Sequence, residues 1–334
     1  MRLRIASRLT GVAGPASFQR RLEAGLRARG HDVVYGLDQI AADAILVIGA
    51  TRRLAALLRA RQRGLPIVQR LDGMNWIHRR RFTGLRHFLR AEVNNWLLRR
   101  TRSRLADVVV YQSEFVRRWW EGRFGAAPGR GFVIRNGVPL DVYSPTGETR
   151  ARGRGTRLLV VEGNLGGGYE IGLEWARRLA AGLARHGAAV ELAIAGRRLA
   201  PPGDASPHGV EVAWLGEVAP ESVPALLRSG DLLFAADLHP ACPNSVIEAL
   251  ACGLPVVAFD TGAIPEIVDD GCGAVVPYGG DAWRLEPPDA EGLRRAARRV
   301  LDGGERYRRA ARRKAEAAFG LDRMVDEYLA ALGW

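Results

Sequence analysis

Short apolar segments alternate with longer helical segments along almost the whole chain, and this alternation constrains the fold more than any other feature. A first series of strands is predicted at residues 3–6, 32–35, 44–48, 67–69, 108–111 and 132–134, with helices at 16–29 and 54–62. A second series of strands is predicted at residues 158–161, 190–195, 210–214, 231–235 and 256–259. Apolar strands that alternate with helices are typical of parallel sheets covered by helices on both faces. The sequence therefore predicts an α/β protein.

The two series are separated by residues 146–155, which are polar, glycine-rich and without hydrophobic periodicity. Such a segment is typical of an interdomain linker. A chain of 334 residues is long enough for two domains, each with its own core. We therefore predict a first domain over residues 1–148 and a second domain over residues 156–318, followed by a closing helical segment.

Composition limits the class of protein rather than its activity. Apolar residues make up 47% of the chain, yet no run approaches the roughly 18–20 apolar residues of a membrane span. The first nine residues interleave arginines with apolar residues and lack the apolar centre of a secretory signal. The cysteines Cys242, Cys252 and Cys272 show neither disulfide nor zinc-ligand spacing. We expect a cytoplasmic, reduced protein.

The net charge is +13, and much of the excess lies in residues 77–104. This segment contains nine arginines and one acid, Glu92, interleaved with aromatic residues that include Phe82, Phe88 and Trp96. Arginines and aromatic residues at helical spacing are typical of helices that lie on the inner, anionic face of a membrane. A solvated helix face beside an apolar core stripe is the structural alternative. No nucleic-acid-binding motif accompanies the charge, so nucleic acid is not an expected partner.

The most informative local pattern runs over residues 231–268. A buried strand is followed by a polar loop and then by Ser245, whose spacing to Glu248 predicts a capping box at a helix start. Gly253 suits the end of that helix, and a second strand and Gly262 then precede another helix start. Two helix N-termini therefore follow neighbouring parallel strands. Their free amides and positive dipole ends are typical of a phosphate site.

This segment contains P-N-S-V-I-E-A-L-A-C-G-L-P-V-V-A-F-D-T-G-A-I-P-E-I-V, which resembles the donor-binding segment of family 4 glycosyltransferases. Weaker similarity to the same family lies in G-V-A-G-P-A-S-F-Q-R-R-L, V-V-V-Y-Q-S-E-F-V and V-I-R-N-G-V. The resemblance implies the GT-B fold, in which two doubly wound, Rossmann-like domains face an interdomain cleft. It also implies that residues 1–148 bind the acceptor and that residues 156–318 bind a nucleotide sugar. A terminal helix over residues 319–334 would then pack back on the first domain.

The resemblance also assigns residues to the donor site. Glu248 corresponds to an acid that binds the ribose hydroxyls of the nucleotide, although its capping-box spacing gives it a structural role as well. The backbone amides of Ser245 and Val246 would face the donor diphosphate, with Asn244 lining the approach. The remaining candidates are small residues that leave room for a ligand, namely Gly262 and Ala263 in the second domain and the cleft-loop residues Gly11 and Gly14 in the first.

The chain departs from the family pattern at the residue expected to contact the transferred sugar. The family carries an acid eight positions before Glu248, and here that position is Pro240. Asp237 and His239 lie close by in sequence and are the alternatives to the absent acid. In the first domain, Asp72 lies where the family often has a histidine that faces the sugar. Asp72 is therefore the candidate for a catalytic contact, although an aspartate followed by glycine is also typical of a turn.

A second departure concerns the positive charges that bind the donor diphosphate. The family usually carries an arginine and a lysine in the loop after the first strand of the second domain, and here Asn164 and Tyr169 stand there. Arg197 and Arg198 follow the next strand and would supply compensating charge, since arginine binds phosphate through two parallel hydrogen bonds. A solvated loop is the structural alternative for both arginines.

The resemblance implies a retaining glycosyltransferase that moves a hexose from a nucleotide-diphosphate sugar to a glycan, lipid-linked or small-molecule acceptor. The donor is a substrate, so no separate cofactor is expected. No D-x-D pair occurs in the chain, so we expect transfer without a metal ion. The main alternative is a catalytically degenerate GT-B protein that binds a nucleotide or glycan without transfer. A sugar-nucleotide epimerase and a nicotinamide oxidoreductase are weaker alternatives, because neither acid–base residues nor a full dinucleotide fingerprint is evident.

Overall fold

A computed structural model describes residues 1–11, 13–38, 41–165, 170–198 and 209–334, except for the side chains of Asn164, His186 and Arg198. The described residues form two units. The first consists of Met1–Gly137 together with Leu321–Trp334, and the second consists of Val138–Gly320.

The first unit is built on parallel strands that alternate with helices. Its elements are β1 (Arg2–Ile5), α1 (Gly14–Ala28), β2 (Asp32–Tyr35), β3 (Ala44–Ile48), α2 (Leu54–Gln62), β4 (Ile67–Leu71), a 3-10 turn (Ile77–Arg79), α3 (Leu85–Arg104), β5 (Val108–Tyr111), α4 (Glu114–Phe124), β6 (Arg130–Val133) and α11 (Leu321–Leu332). The six strands form one parallel sheet in the order β2-β1-β3-β4-β5-β6. Strands β3, β4 and β5 are buried at every position, as expected for inner strands covered on both faces.

The C-terminal helix α11 belongs to the first unit, where it packs against α1. The two helices share a core with the sheet, and the rings of Phe18 and Tyr328 lie 5.3 Å apart within it. The helices approach closely at Gly25, where an added Cβ would lie 2.5 Å from Cγ2 of Val325. A side chain at position 25 would therefore separate the two helices.

The second unit repeats the same architecture. Its elements are β7 (Thr156–Leu165), α5 (Ile171–Ala184), a 3-10 turn (Arg185–Gly187), β8 (Val190–Arg198), β9 (Val210–Gly216), a 3-10 turn (Pro220–Ser222), α6 (Val223–Arg228), β10 (Leu232–Phe234), α7 (Asn244–Ala251), β11 (Val256–Phe259), α8 (Ile264–Ile267), β12 (Gly273–Val276), a 3-10 turn (Ala282–Arg284), α9 (Ala290–Gly303) and α10 (Glu305–Ala318). The strands form a parallel sheet in the order β12-β11-β10-β7-β8-β9. The predicted α/β class, with two doubly wound parallel sheets, is confirmed.

The strand order of the second sheet reverses between β7 and β10. The chain runs outward from β7 to β8 and β9, returns to β10 on the other side of β7, and then runs outward to β11 and β12. In doubly wound sheets, ligands bind outside the carboxyl ends of the strands at such a reversal. The carboxyl ends of β7 and β10 therefore mark the expected ligand site of this unit.

The predicted capping box at Ser245 is wrong. Helix α7 already begins at Asn244, so Ser245 lies inside its first turn, and the N-cap is Pro243, which offers no capping side chain. The fixed φ of proline, here −69°, suits this extended cap position. Glu248 therefore lies in the second turn of α7 and does not form a capping box with Ser245.

Residues 138–148 lie in the second unit, whereas the sequence predicts them at the end of the first domain. Two arginines of the second unit hold this segment. Arg312 donates to the carbonyls of Leu140 at 3.1 Å and Tyr143 at 2.7 Å, and Arg228 donates to the carbonyl of Ser144 at 3.1 Å. The two arginines are distant in sequence from the segment that they hold. A domain boundary inferred from local composition therefore does not reveal these contacts.

Candidate functional site

The carboxyl edge of the second sheet gathers most of the donor-site candidates. Asn164 of β7 and Arg197 of β8 are neighbours in the strand register, and the Arg197 side chain is exposed. Helix α7, with Asn244, follows β10 at this edge, and Gly262 follows β11. Tyr169 lies outside the described residues, as does the side chain of Arg198. Parallel topology alone therefore brings these separate segments to one edge.

The N-terminus of α7 presents backbone donors at this edge. The amide of Ile247 donates to the carbonyl of Pro243 at 3.3 Å. The amides of Ser245 and Val246 precede this bond, and the first amides of a helix have no acceptor within the helix. Free amides and the positive end of the helix dipole together favour an anion such as a phosphate.

Glu248 is buried in α7, with 7% of its surface exposed. Carboxylates are rarely buried to this extent unless they are paired or bind a ligand. Glu248 lies one turn before Cys252, a buried free thiol whose pKa is raised to about 12, chiefly by burial. A thiol with that pKa stays protonated and unreactive at neutral pH.

Gly262 and Ala263 pack against the loop that contains Pro240. Gly262 has a φ of +61°, and an added Cβ would lie 2.5 Å from the backbone nitrogen of Pro240. The amide of Ala263 donates to the carbonyl of Pro240 at 2.9 Å, and Ala263 is fully buried. Packing against the loop that contains Pro240 therefore explains why both residues are small, whether or not a ligand passes beside them. Pro240 itself offers no carboxylate.

His239 adopts an uncommon backbone conformation in the same loop. Its φ is 56°, and its ring stacks on Trp283 with centroids 3.6 Å apart. Left-handed φ values are costly for residues with a Cβ and occur at functional sites. Burial lowers the pKa of His239 to about 4, so the imidazole is neutral at pH 7. It therefore adds no positive charge to this edge.

A pair of carboxyl groups, Glu162 and Asp237, stands at the strand-order reversal. Glu162 lies near the end of β7, and Asp237 follows β10. Burial raises the pKa of Asp237 to about 7, and burial together with the charge of Asp237 raises the pKa of Glu162 well above its usual range. Oδ1 of Asp237 is buried and has no hydrogen-bond partner among the described residues. Sequence reasoning missed Glu162, because only strand pairing brings it to Asp237.

The raised pKa of Asp237 predicts a pH-dependent cost to stability. The folded state holds the proton of Asp237 up to about pH 7, whereas the unfolded chain releases it near pH 4. Protonated Asp237 therefore contributes fully to the free energy of unfolding below about pH 4, and this contribution is lost as the pH rises to about 7. Asp237→Asn does not titrate, so its melting temperature should rise relative to the native protein by a few degrees between pH 5 and pH 8. Thermal denaturation at both pH values checks this, and a constant difference would contradict the shift.

In the first unit, Asp72 follows β4 directly and belongs to a network of polar side chains. Its Oδ1 accepts from Nη1 of Arg70 at 2.9 Å and from Nε2 of Gln112. Nη2 of Arg70 also donates to Gln112 at 2.5 Å and to Asn136 at 2.9 Å, and Arg70 is buried. The Asp72 side chain keeps 34% of its surface exposed. The network therefore fixes an accessible carboxylate, and sequence reasoning did not find its supporting residues Gln112 and Asn136.

The glycines expected in the cleft loop lie between β1 and α1. Gly11 is exposed with a φ of +90°, a backbone conformation that favours glycine, and its carbonyl accepts from Nη1 of Arg20 at 2.8 Å. Gly14 is the first residue of α1 and is also exposed. Val12, between them, lies outside the described residues.

Helix α3 presents an apolar stripe to solvent within the basic segment 77–104. Exposed apolar side chains recur at helical spacing along it and continue into the preceding loop, with Phe82 87% exposed and Trp96 56% exposed; the stripe consists of Phe82, Leu85, Leu89, Val93 and Trp96. Arg86 and Arg90 on the same helix are also exposed. Leu97 and Leu98 pack inward instead. Helix α3 therefore has the apolar core stripe of the structural alternative and, in addition, a second apolar stripe that faces solvent.

The one acid of this segment, Glu92, offsets only one of its nine arginine charges. Glu92 accepts from Nε of Arg79 at 2.6 Å and contacts Nε2 of His78 at 2.7 Å. These contacts, Arg79 first, lower the pKa of Glu92 to about 2.

Among the described residues, no helix is both long and apolar enough to cross a membrane. Exposed large apolar side chains rarely cluster on soluble proteins without an interaction partner.

Comparison with known families covers both units. The family described as Glycosyl transferases group 1 matches residues 156–303, and the family described as Glycosyltransferase Family 4 matches residues 15–142. This chain is a family 4, or group 1, glycosyltransferase. The family resemblance of the donor segment is thereby confirmed. The matched ranges contain every donor-site candidate in the second unit and Asp72 in the first.

Individual proteins similar to this glycosyltransferase differ in how much of the chain they match. A GDP-mannose-dependent alpha-(1-6)-phosphatidylinositol dimannoside mannosyltransferase of Mycobacterium tuberculosis is 31% identical over 112 residues, which are 34% of this chain and 27% of that protein. The chain thus matches about a quarter of the length of this relative. Sucrose-phosphate synthase from Thermosynechococcus elongatus has a TM-score of 0.73 at 14% identity, covering 98% of this chain and 96% of that one. HepE of Anabaena, solved in complex with UDP and glucose, has a TM-score of 0.69 at 15% identity, covering 100% and 99%. At this identity the two structures indicate a shared GT-B fold.

Proposed function

We propose that this glycosyltransferase transfers a hexose from a nucleotide-diphosphate sugar to a lipid-linked glycan acceptor and retains the configuration of the anomeric carbon. One observation carries the proposal. At the strand-order reversal of the second sheet, the amides of Ser245 and Val246 at the N-terminus of α7 lie in the same short helix as the buried carboxylate of Glu248. An anion-binding helix end with an acid that accepts hydroxyl protons suits a ribose diphosphate.

Each part of the donor has a group that suits it. Glu248 accepts hydrogen bonds from the ribose hydroxyls, and the amides of Ser245 and Val246 bind the diphosphate. Arg197, exposed at the end of β8, supplies charge that Asn164 and Tyr169 do not. Helix amides and arginine stabilise the departing diphosphate without a metal ion. Activity that persists in EDTA would support this, and full inhibition would exclude it.

The reaction exchanges one bond at the anomeric carbon for another. The bond between that carbon and the diphosphate oxygen breaks, and the acceptor hydroxyl forms its new bond on the face from which the diphosphate departs. The hydroxyl proton passes to the leaving phosphate oxygen. We assign acceptor contacts to the first unit, where Arg70 and Gln112 hold the Asp72 carboxylate in a fixed and accessible orientation.

We assign the role of the missing sugar-facing acid to Asp237, supported by Glu162. Pro240 carries no carboxylate, whereas Asp237 stands at the strand-order reversal with a buried oxygen that has no partner among the described residues. Buried polar atoms are rarely left without a hydrogen bond. A sugar hydroxyl of the bound donor would satisfy this atom.

This assignment predicts that Asp237→Asn weakens the contact with the sugar and spares the nucleotide. We expect the affinity for GDP-mannose or UDP-glucose to fall by up to about tenfold, because a hydrogen bond between uncharged groups contributes about 0.5–1.5 kcal/mol. The affinity for GDP or UDP should stay unchanged. Separate calorimetric titrations with the nucleotide sugar and with the free nucleotide measure the two affinities. Equal losses for nucleotide and nucleotide sugar would contradict the assignment.

The exposed stripe of α3 supports a lipid-linked acceptor. Its apolar side chains and flanking arginines suit the surface of an anionic membrane, where amphipathic helices bury apolar side chains and attract anionic headgroups. A transferase docked in this way would meet an acceptor that is itself held in the membrane. A soluble acceptor needs no such face.

A second candidate function is donor or glycan binding without transfer, and Pro240 favours it because the family acid is absent there. A donor panel separates the two. Native protein is titrated with UDP-, GDP-, ADP- and dTDP-sugars by thermal shift, and release of the nucleoside diphosphate is then followed with an acceptor extract. A ligand at about 100 times its dissociation constant stabilises by roughly 2.7 kcal/mol, which is readily detected. Binding with release supports transfer, and binding without release supports donor binding without transfer. No binding excludes both of these and leaves only the glycan-binding form of the second candidate.

A further inference from the structure

A cavity of about 720 Å³ lies in the second unit, away from the carboxyl edge of its sheet. Asp231, one of its lining residues, directly precedes β10, and Arg152 comes shortly before β7. The cavity therefore opens at the amino edge, opposite to the edge that holds Glu162 and Asp237. The proposed donor site does not include it.

Arginine dominates the lining of this cavity. Six arginines line it, against two acids, Asp231 and Glu305; the arginines are Arg152, Arg228, Arg308, Arg309, Arg312 and Arg313. Asp231 already accepts from Arg152 at 2.7 Å and from Arg308 at 3.4 Å. Arg312 pairs with Glu316, whose Oε1 lies 2.7 Å from its Nε. Among the described residues, Arg228, Arg309 and Arg313 have no acidic partner, so the cavity keeps an excess of positive charge. A concave surface of one charge concentrates the field and attracts ions of opposite charge.

Four of these guanidinium groups are held in place by backbone carbonyls. Arg308 donates to Gly230 at 2.7 Å, Arg152 to Ser229 at 3.0 Å, Arg228 to Glu148 at 2.7 Å and Arg312 to Ala251 at 2.9 Å. A guanidinium has five N–H donors, and Arg152 and Arg308 each use only one nitrogen in these contacts. The remaining donors are thus fixed in orientation before any ligand binds.

The other two arginines of the cavity lie on α10 and face solvent. Arg309 and Arg313 are four residues apart and therefore lie on one face of the helix. In the part of the chain that the structure describes, neither makes a hydrogen bond or an ion pair with another residue. Fixed arginines beside free ones provide several donors for one ligand with multiple anionic oxygens.

We infer that this arginine cavity binds a phosphate-bearing anion with more than one phosphate group, independently of the donor site. Guanidinium groups pair with phosphate through two parallel charge-assisted hydrogen bonds, which makes arginine the side chain best suited to such ligands. The chemistry is shared by soluble polyphosphates and by phosphorylated lipid headgroups. Arg312 also holds the carbonyl of Ala251 at the C-terminal end of α7, so an occupied cavity touches the helix whose other end faces the donor edge.

The test compares two double variants that lose the same charge. Arg309→Gln with Arg313→Gln removes the free arginines of the cavity. Arg299→Gln with Arg306→Gln removes two exposed arginines of α9 and α10 that do not line it. Calorimetric titration with inorganic pyrophosphate at low ionic strength tests the soluble source. Flotation with vesicles of neutral lipid containing a phosphatidylinositol phosphate tests the lipid source.

We expect the cavity variant to bind one of the two probes about tenfold more weakly than the native protein, and the control variant to bind within twofold of it. A loss confined to pyrophosphate identifies a soluble ligand, and a loss confined to vesicles identifies a headgroup. Equal affinities for the two variants, or no binding of either probe by the native protein, would overturn the inference. Since all four replaced side chains are exposed, unchanged melting temperatures are expected, and the single variant Arg313→Gln repeats the test if the double variant is unstable.

Discussion

Glu248→Gln is expected to lower the affinity for the nucleotide sugar by about 100-fold and to abolish detectable transfer. The carboxylate would lose its charge while the side chain keeps its shape and burial, so the loss reports on the hydrogen bonds to the ribose rather than on packing. Two hydrogen bonds to a charged acceptor contribute about 1.5–3 kcal/mol each. Calorimetric titration with the nucleotide sugar found in the donor panel measures the effect.

The control for this experiment is Glu221→Gln, which neutralises an exposed glutamate in a 3-10 turn of the same unit. Both variants should melt as cooperatively as the native protein. If folded Glu248→Gln bound the nucleotide as tightly as the control, Glu248 would have no role in donor binding. Glu248→Gln should lose affinity for the free nucleotide as well as for the nucleotide sugar. Replacement of Asp237 should instead leave the affinity for the free nucleotide unchanged, so the two roles can be distinguished.

Leu89→Glu together with Trp96→Glu is expected to weaken binding to anionic vesicles by at least about 100-fold. Each replacement removes an apolar side chain that would bury in the membrane surface, with a loss of about 1.5–3 kcal/mol, and adds a charge that the lipid repels. Co-sedimentation with phosphatidylglycerol vesicles over a range of lipid concentrations gives the two partition coefficients. High salt should weaken the native interaction, because the arginine contribution is screened.

The matched control is Leu58→Glu together with Val142→Glu. These side chains are 47% and 50% exposed, close to the 55% of Leu89 and the 56% of Trp96, but they lie outside the stripe of α3. The control adds the same charge to the protein and should leave vesicle binding nearly unchanged. Equal losses in both double variants would show that net charge, rather than the stripe, governs the interaction. Absence of binding by the native protein would remove the argument for a membrane-held acceptor.

Several elements could be predicted closely from the sequence. The bounds of β2, β3, α2, β5 and β11 agree with the predicted ranges. Each of these strands is a largely apolar run ended by glycine or a polar residue, and α2 ends shortly before Gly64. Strand β12 was missed, since a four-residue strand that itself begins with a glycine, Gly273, carries too little pattern. The start of α7 was misplaced because the spacing of Ser245 and Glu248 suits a capping box, whereas proline at the preceding position already sets the cap geometry.

The chain by itself determined the fold class and the family, because these depend on local periodicity and on residues close together in sequence. Only the tertiary structure joined Glu162 to Asp237, Asp72 to Gln112 and Asn136, and the arginines of α10 to those of the preceding segments. Each of these sets is formed by strands and helices that are distant along the chain. Charge, burial and hydrogen bonding depend on such neighbours in space, so the chemistry of the site became visible only when the sheets were assembled.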